Sequence, residues 1–494
     1  MKTLKWYNSI TINIYWLGLT TVSQSNGLIL PLLVQKFVGP QQQGTAFGNL
    51  RLYTLMVALL VQALMGMLSD RSTLRWGRRR PFILVGTLLN MAFIIAIGAS
   101  PSYWFLFGAA VLSQIASNIA HGAEQGLIPD LVPENQRGRF SGVKSVMELV
   151  PVIIVAFTVG KLIADKQMWW AGILVAIGIL FLSMAITMFV REEPLRESPG
   201  RLDWQPFGRL VAMTLVFLIV ILGLGEVVKS ASRLLNGVSS VPVLLVVMGS
   251  LGLVAMAVAT IAGVWASVRI SIGTRSARQY SSFSWWVVNR LAFLIGTTNL
   301  SGFAVYFLQA RLGLKGEAAA GPASQLMMVV GVLILVCALP SGWLADWIGR
   351  RLLVAISGLA AALGTLILVL APNMSMIYVG GCIIGAATGT FFTANWALGT
   401  DVVPKEEAGR YLGISNLAGA GAGAVGAYIG GPIADYFTTR VPQTPGLGYL
   451  LIFAIYGGLF LLSTIVLVRV HKDFSSTSRT VEKVDKAGPE TELP

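Results

Sequence analysis

Four polar side chains inside an otherwise apolar stretch carry the first chemical signal. In SQIASNIAHGAEQGLIPD, residues 113–130, Gln114, Asn118, His121 and Gln125 recur at spacings of 4, 3 and 4. At about 100° per residue they share a helix stripe about 60° wide, which Ser117 and Glu124 extend on one side. Amides and an imidazole offer donors and acceptors to a polar solute, so four aligned groups point to a lined cavity. Hydrogen bonds between helices, worth about 0.6–2 kcal/mol each, are the simpler use of any one of them. His121 and Glu124 stand three residues apart and form the titratable pair of this face. Such a pair could take up and release a proton, and the alternative for His121 is a histidine satisfied in the core.

Other apolar stretches hold comparable groups. VSQSNG places Gln24 and Asn26 beside Gly27 and Pro31, residues that permit a local break and expose backbone to a ligand. Arg290, Thr297 and Ser301 share a face at spacings of 7 and 4, with Arg290 positioned to snorkel or to pair with Glu148. Glu148 also has Lys144 one turn away. Thr388, Thr390, Asn395 and Trp396 offer hydroxyls, an amide and a ring that could stack on a sugar face, or in the case of Trp396 an interfacial anchor. No phosphate-cradling loop or nucleophilic triad occurs, so catalytic residues and ATP-driven pumping have no support. Cys337, Cys382, His121 and His471 have no metal-ligand spacing. The expectation is a protein that is not an enzyme and needs no metal or cofactor.

The elements that must position these groups are membrane helices. The 494 residues are 55% hydrophobic and 12% charged, with mean hydropathy +0.73, a balance that soluble domains do not sustain over this length. A crossing needs about 20 apolar residues, and fourteen such stretches can be drawn between residues 10 and 469. The first lacks a small-residue cleavage site and is read as a retained helix. With the N-terminus inside, 26 of the 36 Lys and Arg residues fall in cytoplasmic segments and eight outside, leaving Arg51 and Arg290 within spans. The net charge of +14 therefore reports topology rather than affinity for nucleic acid. Were only one of the two spans between 211 and 266 to cross, Arg350 and Arg351 would lie outside, so both cross or neither does.

Two elements occur twice. GMLSDRSTLRWGRRRP from Gly66 matches GWLADWIGRR from Gly342, and DLVPENQRGRFSG from Asp130 matches DVVPKEEAGRYLG from Asp401, at offsets of 276 and 271 residues. Repeats at corresponding span junctions predict two six-helix halves, 1–190 and 284–470. Between them lie a cytoplasmic linker, 191–210, and an inserted two-helix hairpin with its loop, 211–283. A polar tail, 471–494, follows and is expected to be disordered.

The Gly-x-Leu-x-Asp element followed by arginines, present in both halves, resembles the loop motif of the major facilitator superfamily. SDRSTLRWGRRRPFI, with five arginines between Arg71 and Arg80, is similar to the version found in sucrose carriers and the glycoside, pentoside and hexuronide cation symporters. The resemblance implies an all-α polytopic fold of two six-helix bundles, here with the inserted pair as a departure from twelve helices. It also implies a cytoplasmic gate. Asp70 would meet the start of the eleventh core span near Gly413, Arg71 or Arg78 would pair with Asp130, and Asp346, Arg350 and Asp401 would repeat the arrangement. Arg75, Arg79 and Arg80 would fix topology or meet anionic headgroups. Aligned through Asp130, sucrose carriers have an acid where Gln114 falls and an arginine where Gln125 falls, so those two coupling charges are missing here. GAGAGAVGAYIGGP is expected to pack closely against a neighbouring helix. The Gly-rich, Gly-Pro motif of drug antiporters is missing from ELVPVIIVAFTVGKLIAD.

The expected function is alternating-access carriage of a sugar, glycoside or related polar solute, coupled to a proton or sodium ion. The alternatives are a proton-driven exporter of drug-like compounds and a non-transporting scaffold for a pigment, lipid or membrane protein. The expected partners are a small-molecule substrate, a coupling cation and the lipid bilayer, with the chain a monomer in the plasma (inner) membrane and both termini cytoplasmic.

Overall fold

The computed structural model describes residues 4–165, 168–192, 203–403, 408–444 and 446–470, without the side chains of 276, 408–414, 416 and 417. The tail 471–494 and residues 193–202 of the 191–210 linker lie outside the described residues. Helices account for nearly everything else, and no strand occurs among the described residues. The first group is α1 (Trp6–Val38), α2 (Gln43–Asp70), α3 (Arg80–Gly98), α4 (Tyr103–Glu124), the short α5 (Leu127–Leu131), α6 (Arg137–Phe157), its continuation α7 (Val159–Ala164) and α8 (Trp169–Thr187). Next come α9 (Gln205–Leu234), α10 (Val241–Ile272) and the short α11 (Thr274–Gln279). The last group is α12 (Ser281–Gly302), α13 (Ala304–Leu312), α14 (Ala320–Ile348), α15 (Arg350–Leu370), α16 (Met374–Asp401), α17 (Ala408–Arg440) and α18 (Leu447–Val466).

Local chemistry sets several boundaries. Pro81 occupies the first turn of α3, where its missing N–H costs nothing, while Ser102 Oγ and Asn373 Oδ1 accept the first-turn N–H groups of Phe105 and Met376. Among the described residues twelve helices are long and apolar enough to cross a membrane, and the α12–α13 pair makes thirteen. The expected fourteenth, α17, is 33 residues long, but side chains in its first turns lie outside the described residues. One expectation is corrected. The first helix runs unbroken through Gly27 and Pro31. The break falls instead in the seventh core span, where α12 and α13 meet at Phe303 with a bend of 57°.

Helix α1 packs on α6 and α8, and α4 on α2 and α3. In the second group α16 packs on α14 and α15, and α12 on α17 and α18. The seam between the groups is α2 against α17, with α6 against α14. Backbones touch there: a Cβ on Gly48 would lie 2.4 Å from Ala427 O, and one on Gly44 2.7 Å from Gly431 O. The α9–α10 pair leans on α17, α18 and α12. Tyr428 of α17 fills the notch at Gly225 of α9, and its hydroxyl accepts from Lys229 Nζ at 3.0 Å.

Candidate functional site: a shared cavity, a charged loop and a closed far side

One cavity is lined by both groups of helices. It measures about 270 Å³, near the lower end of small-molecule sites. Gln24, Glu148, Leu149 and Val152 line it from the first group, and Thr297, Ser301, Phe307, Thr388 and Phe453 from the second. The face shared by Thr297 and Ser301 thus opens onto it, and Gln24 joins them across the seam. Glu148 Oε1 lies 3.5 Å from Lys144 Nζ, and Lys144 also sits 3.9 Å above the Trp16 ring. A larger groove of about 490 Å³ on the outer surface of α9 and α10 is apolar apart from Ser250.

Two turns from the cavity, α12 and α16 carry a second polar cluster. Arg290 Nη1 donates to Asn395 Oδ1 at 3.2 Å, so the pairing with Glu148 is not what forms. Asn395 is buried, donates to Asn289 Oδ1 at 2.7 Å, and its backbone carbonyl accepts from Trp286 Nε1 at 3.0 Å. The Arg290 guanidinium lies 5.3 Å from the Trp396 ring centroid and 6.0 Å from that of Trp286.

The α4 stripe does not line the cavity. Asn118 Nδ2 donates back to the Gln114 carbonyl at 2.8 Å. Gln125 is exposed and lies 3.1 Å from His121 Nε2, while the His121 ring meets Trp16 edge-on at 5.1 Å. His121 and Glu124 do not bond each other. Glu124 is 1% exposed, and neither carboxylate oxygen has a hydrogen-bond partner among the described residues. Asn26 on α1 is half-buried and is not among the cavity-lining residues.

At the ends near Asp70, hereafter the loop side, the ion pairs among the described residues join partners of the same group. Arg79 is 4% exposed and stands at the centre: its guanidinium bonds Asp70, Asp130 Oδ2 (2.9 Å through Nε) and Ser69 Oγ (2.6 Å). Arg78 joins Asp130 as well. The backbone of Gly126 passes so close that a Cβ there would collide with the guanidinium. In the second group Arg350 Nη1 bonds Asp401 at 2.7 Å and Nη2 lies 3.5 Å from Asp346. Arg71 caps α2, with its N–H on Leu68 O at 3.2 Å. The sequence pattern sets Arg79 among residues that merely fix topology, and the geometry corrects this by giving it the central position. Sequence reasoning also missed Glu192, whose Oε2 accepts from the Arg79 N–H at 2.7 Å beside Gly77, at φ +113°. Burial pushes the Glu192 carboxyl above the usual range, against the N–H groups of Arg79, Arg78 and Arg80, which draw it down. The signal was an acid opening an arginine-rich linker. The partner expected for Asp70 near Gly413 lies where side chains are not described.

Among the described residues, hydrogen bonds between the two groups gather at the opposite, far side. Asp435 accepts from Gly44 N at 2.8 Å and Thr45 N at 2.7 Å, so a carboxylate of α17 caps the positive end of α2. Gln43 donates to the Tyr449 hydroxyl at 2.8 Å, and Gln35 and Gln309 exchange two bonds at 2.9 and 2.8 Å. Tyr306 donates to Pro31 O at 2.7 Å, a carbonyl within the unbroken α1. Arg51 reaches across to Thr298 O at 3.3 Å and Asn299 Oδ1 at 3.4 Å. Sequence reasoning missed this closure, although Asp435 is the one acid within the Gly-rich α17.

Known proteins share parts of this architecture. Residues 14–328 and 288–491 match the Major Facilitator Superfamily. The minor myo-inositol transporter IolF of Bacillus subtilis is 32% identical over 136 residues, 27% of this chain and 29% of that protein. The sucrose transport protein SUC3 of Arabidopsis thaliana is 34% identical over 107 residues, 17% of this chain and 18% of the relative. The multidrug resistance protein MdtG of Salmonella choleraesuis is 29% identical over 131 residues, 26% of this chain and 32% of the relative. The chain thus spans no more than about a third of these relatives. Among solved structures, the nucleoside transporter NupG aligns at TM-score 0.61 and 10% identity, covering 94% of this chain and 98% of that one. The peptide transporter POT in complex with sulfate aligns at 0.63 and 15%, covering 94% and 93%. At such identities the structural likeness speaks to fold alone.

Proposed function

Because the chain belongs to the Major Facilitator Superfamily, we propose that it is a secondary active transporter carrying a sugar, glycoside or related polyhydroxylated solute together with a proton or sodium ion. The observation that carries this reading is the cavity itself. Gln24, Thr297, Ser301 and Thr388 present amide and hydroxyl groups among aromatic and aliphatic walls, the mixture that a ring with hydroxyls on its edge and C–H bonds on its face requires. Relatives named for myo-inositol, sucrose and alpha-glucoside transport support the same class.

The mechanism follows from which contacts join the halves. Far-side bonds from Asp435, Gln43, Gln35, Tyr306 and Arg51 hold the halves together, so a solute leaves the cavity toward the loop side in this state. The loop-side triads of Arg79 and Arg350 keep α2 registered with α3 and with α5, which follows α4, and α14 with α15 and α16, while each half rocks as a unit. In the opposite state Asp70 is released to the start of α17, and the Asp435 cap is broken. Asp70, Arg71, Arg78, Asp130, Asp346, Arg350 and Asp401 act as gate residues, with Arg79 added at their centre. Coupling is assigned to Glu124, whose two oxygens are unpartnered in this state, with His121 one turn away. The arginine loop faces the cytoplasm by the distribution of basic residues, the membrane is the plasma (inner) membrane, and one chain suffices.

The test is uptake by proteoliposomes under imposed proton or sodium gradients, with labelled myo-inositol, sucrose and methyl α-glucoside. Gradient-dependent accumulation of at least one solute is expected. Absence of flux for all three, with dye extrusion dependent on Glu124, would favour the drug-exporter reading, which rests on the MdtG similarity and the apolar share of the cavity wall.

A further inference from the structure

Arg290 is a cation inside the helix bundle that the transport reading leaves unused. It stands nine residues into α12, about 14 Å from the loop-side end, well within a hydrocarbon core about 30 Å thick. An arginine at that depth is paired or functional by default. No carboxylate pairs with it among the described residues. Its partners are the neutral amide of Asn395 and the rings of Trp286 and Trp396. Its Nε is buried without an acceptor among the described residues, and the residue as a whole stays partly accessible.

The helix faces say where the accessible edge leads. Thr297 lies seven residues from Arg290 on α12, and Thr388 seven residues from Asn395 on α16; two turns bring each pair onto one face within about 20°. Thr297 and Thr388 line the cavity, so the partly accessible Arg290 lies on the same face about 10 Å beyond them toward the loop side, with the buried Asn395 bonded to it from behind. Glu148, the acid on the cavity wall, is already met by Lys144 at 3.5 Å. The path thus offers an unmatched guanidinium to whatever moves along it.

We infer that Arg290 is an oxyanion-recognising residue on the loop-side half of the transport path, and that the preferred solute carries a carboxylate or phosphate in addition to its hydroxyls. The inference rests on the sugar-transport reading and narrows its substrate class. A guanidinium binds either oxyanion with two charge-assisted N–H donors, and Asn395 holds the fork in place through Nη1. Trp286 and Trp396 flank the group and serve as reporters.

The experiment is titration of tryptophan fluorescence in the purified full chain with methyl β-glucuronide, glucose 6-phosphate and methyl β-glucoside. One anionic sugar is expected to bind about tenfold more tightly than the neutral glycoside, and whichever does so identifies the oxyanion. That ratio should fall to about one in Arg290→Gln. It should fall likewise in Asn395→Asp, which supplies an internal carboxylate, and be partly kept in Arg290→Lys. A ratio near one in the unaltered protein, or an unchanged ratio in Arg290→Gln, overturns the inference. If only the neutral glycoside binds, the sugar reading survives without it; if none binds and none is carried, both fall.

Discussion

Arg79 shows how much one side chain in a charged run can differ from its neighbours. It is 4% exposed and bonds Asp70, Asp130 and Ser69, whereas Arg75 in the same loop is exposed. Removing a buried partner strands the charges it served, at a cost of about 3–5 kcal/mol when both ends are buried. The Asp70 side chain is 56% exposed, so the cost is nearer about 2 kcal/mol. Arg79→Ala should therefore lower the thermal midpoint in detergent clearly, while Arg75→Ala leaves it within error; equal midpoints would remove Arg79 from the centre of the loop. Glu192 allows a pH test. Burial raises its folded pKa above the usual value, so the stability it contributes is fully present below the unfolded pKa and is lost as pH rises through the folded one. Glu192→Gln keeps an acceptor for the Arg79 N–H without the charge. Its midpoint at pH 7 should match or exceed that of the unaltered protein, with a flatter profile from pH 4.5 upward, and a lower midpoint there would contradict the assignment. The sequence made Asp70, Arg78 and Asp130 legible because the short elements that hold them, Gly-x-Leu-x-Asp before arginines and Asp-x-Val-Pro, recur in the second half. It could not rank Arg78, Arg79 and Arg80, since the ranking depends on which guanidinium fits beneath the Gly126 backbone.

At the scale of helices, the far-side closure rests on one helix end and a pair of close backbone approaches. Asp435 neutralises the start of α2, an interaction worth about 1–2 kcal/mol where partly buried. Asp435→Asn should shift the population toward far-side opening by about fivefold or more. Gly48→Val should shift it further, because its Cβ would stand 2.4 Å from Ala427 O. Both effects can be read from labelling of Thr297→Cys, in a Cys337→Ser, Cys382→Ser background, by an impermeant thiol reagent applied to the far side. Faster labelling is expected in each variant, and unaltered rates would show that these contacts do not hold the halves closed. Helix-terminus physics was legible in the sequence, but the expectation applied it to Asp70, and the described geometry displays it at Asp435. The Gly-rich run in α17 was correctly read as a close-packing face, though which helix it meets required the fold. The α4 stripe failed for a different reason. Periodicity assigns residues to a face, and the Gln114 carbonyl and the Trp16 ring satisfy part of that face locally.

Across the whole molecule, composition and the two repeated junctions make the polytopic all-α fold and the superfamily legible in the amino-acid order itself. The cavity was legible only in part, through Gln24, Thr297, Ser301 and Thr388, because a cavity is a property of helices from both halves meeting and no single span encodes it. The seventh core span shows this limit: in NLSGFAVYF the Ser301-Gly302 pair permits a kink without fixing its size, and the 57° bend at Phe303 brings Phe307 to the cavity wall and Tyr306 to the Pro31 carbonyl. The α9–α10 pair, docked on α17 through Tyr428 and Lys229, is placed to travel with the second half. All of this serves one claim, that the chain carries polyhydroxylated solutes by alternating exposure of the shared cavity. Counterflow tests it most directly, since exchange needs both states of the carrier and no ion gradient. Proteoliposomes loaded with millimolar unlabelled solute from the myo-inositol, sucrose, methyl α-glucoside and methyl β-glucuronide set should transiently concentrate the labelled form of at least one, and Gly48→Val should slow that exchange. No overshoot for any member, from protein that is folded and inserted, would contradict the account.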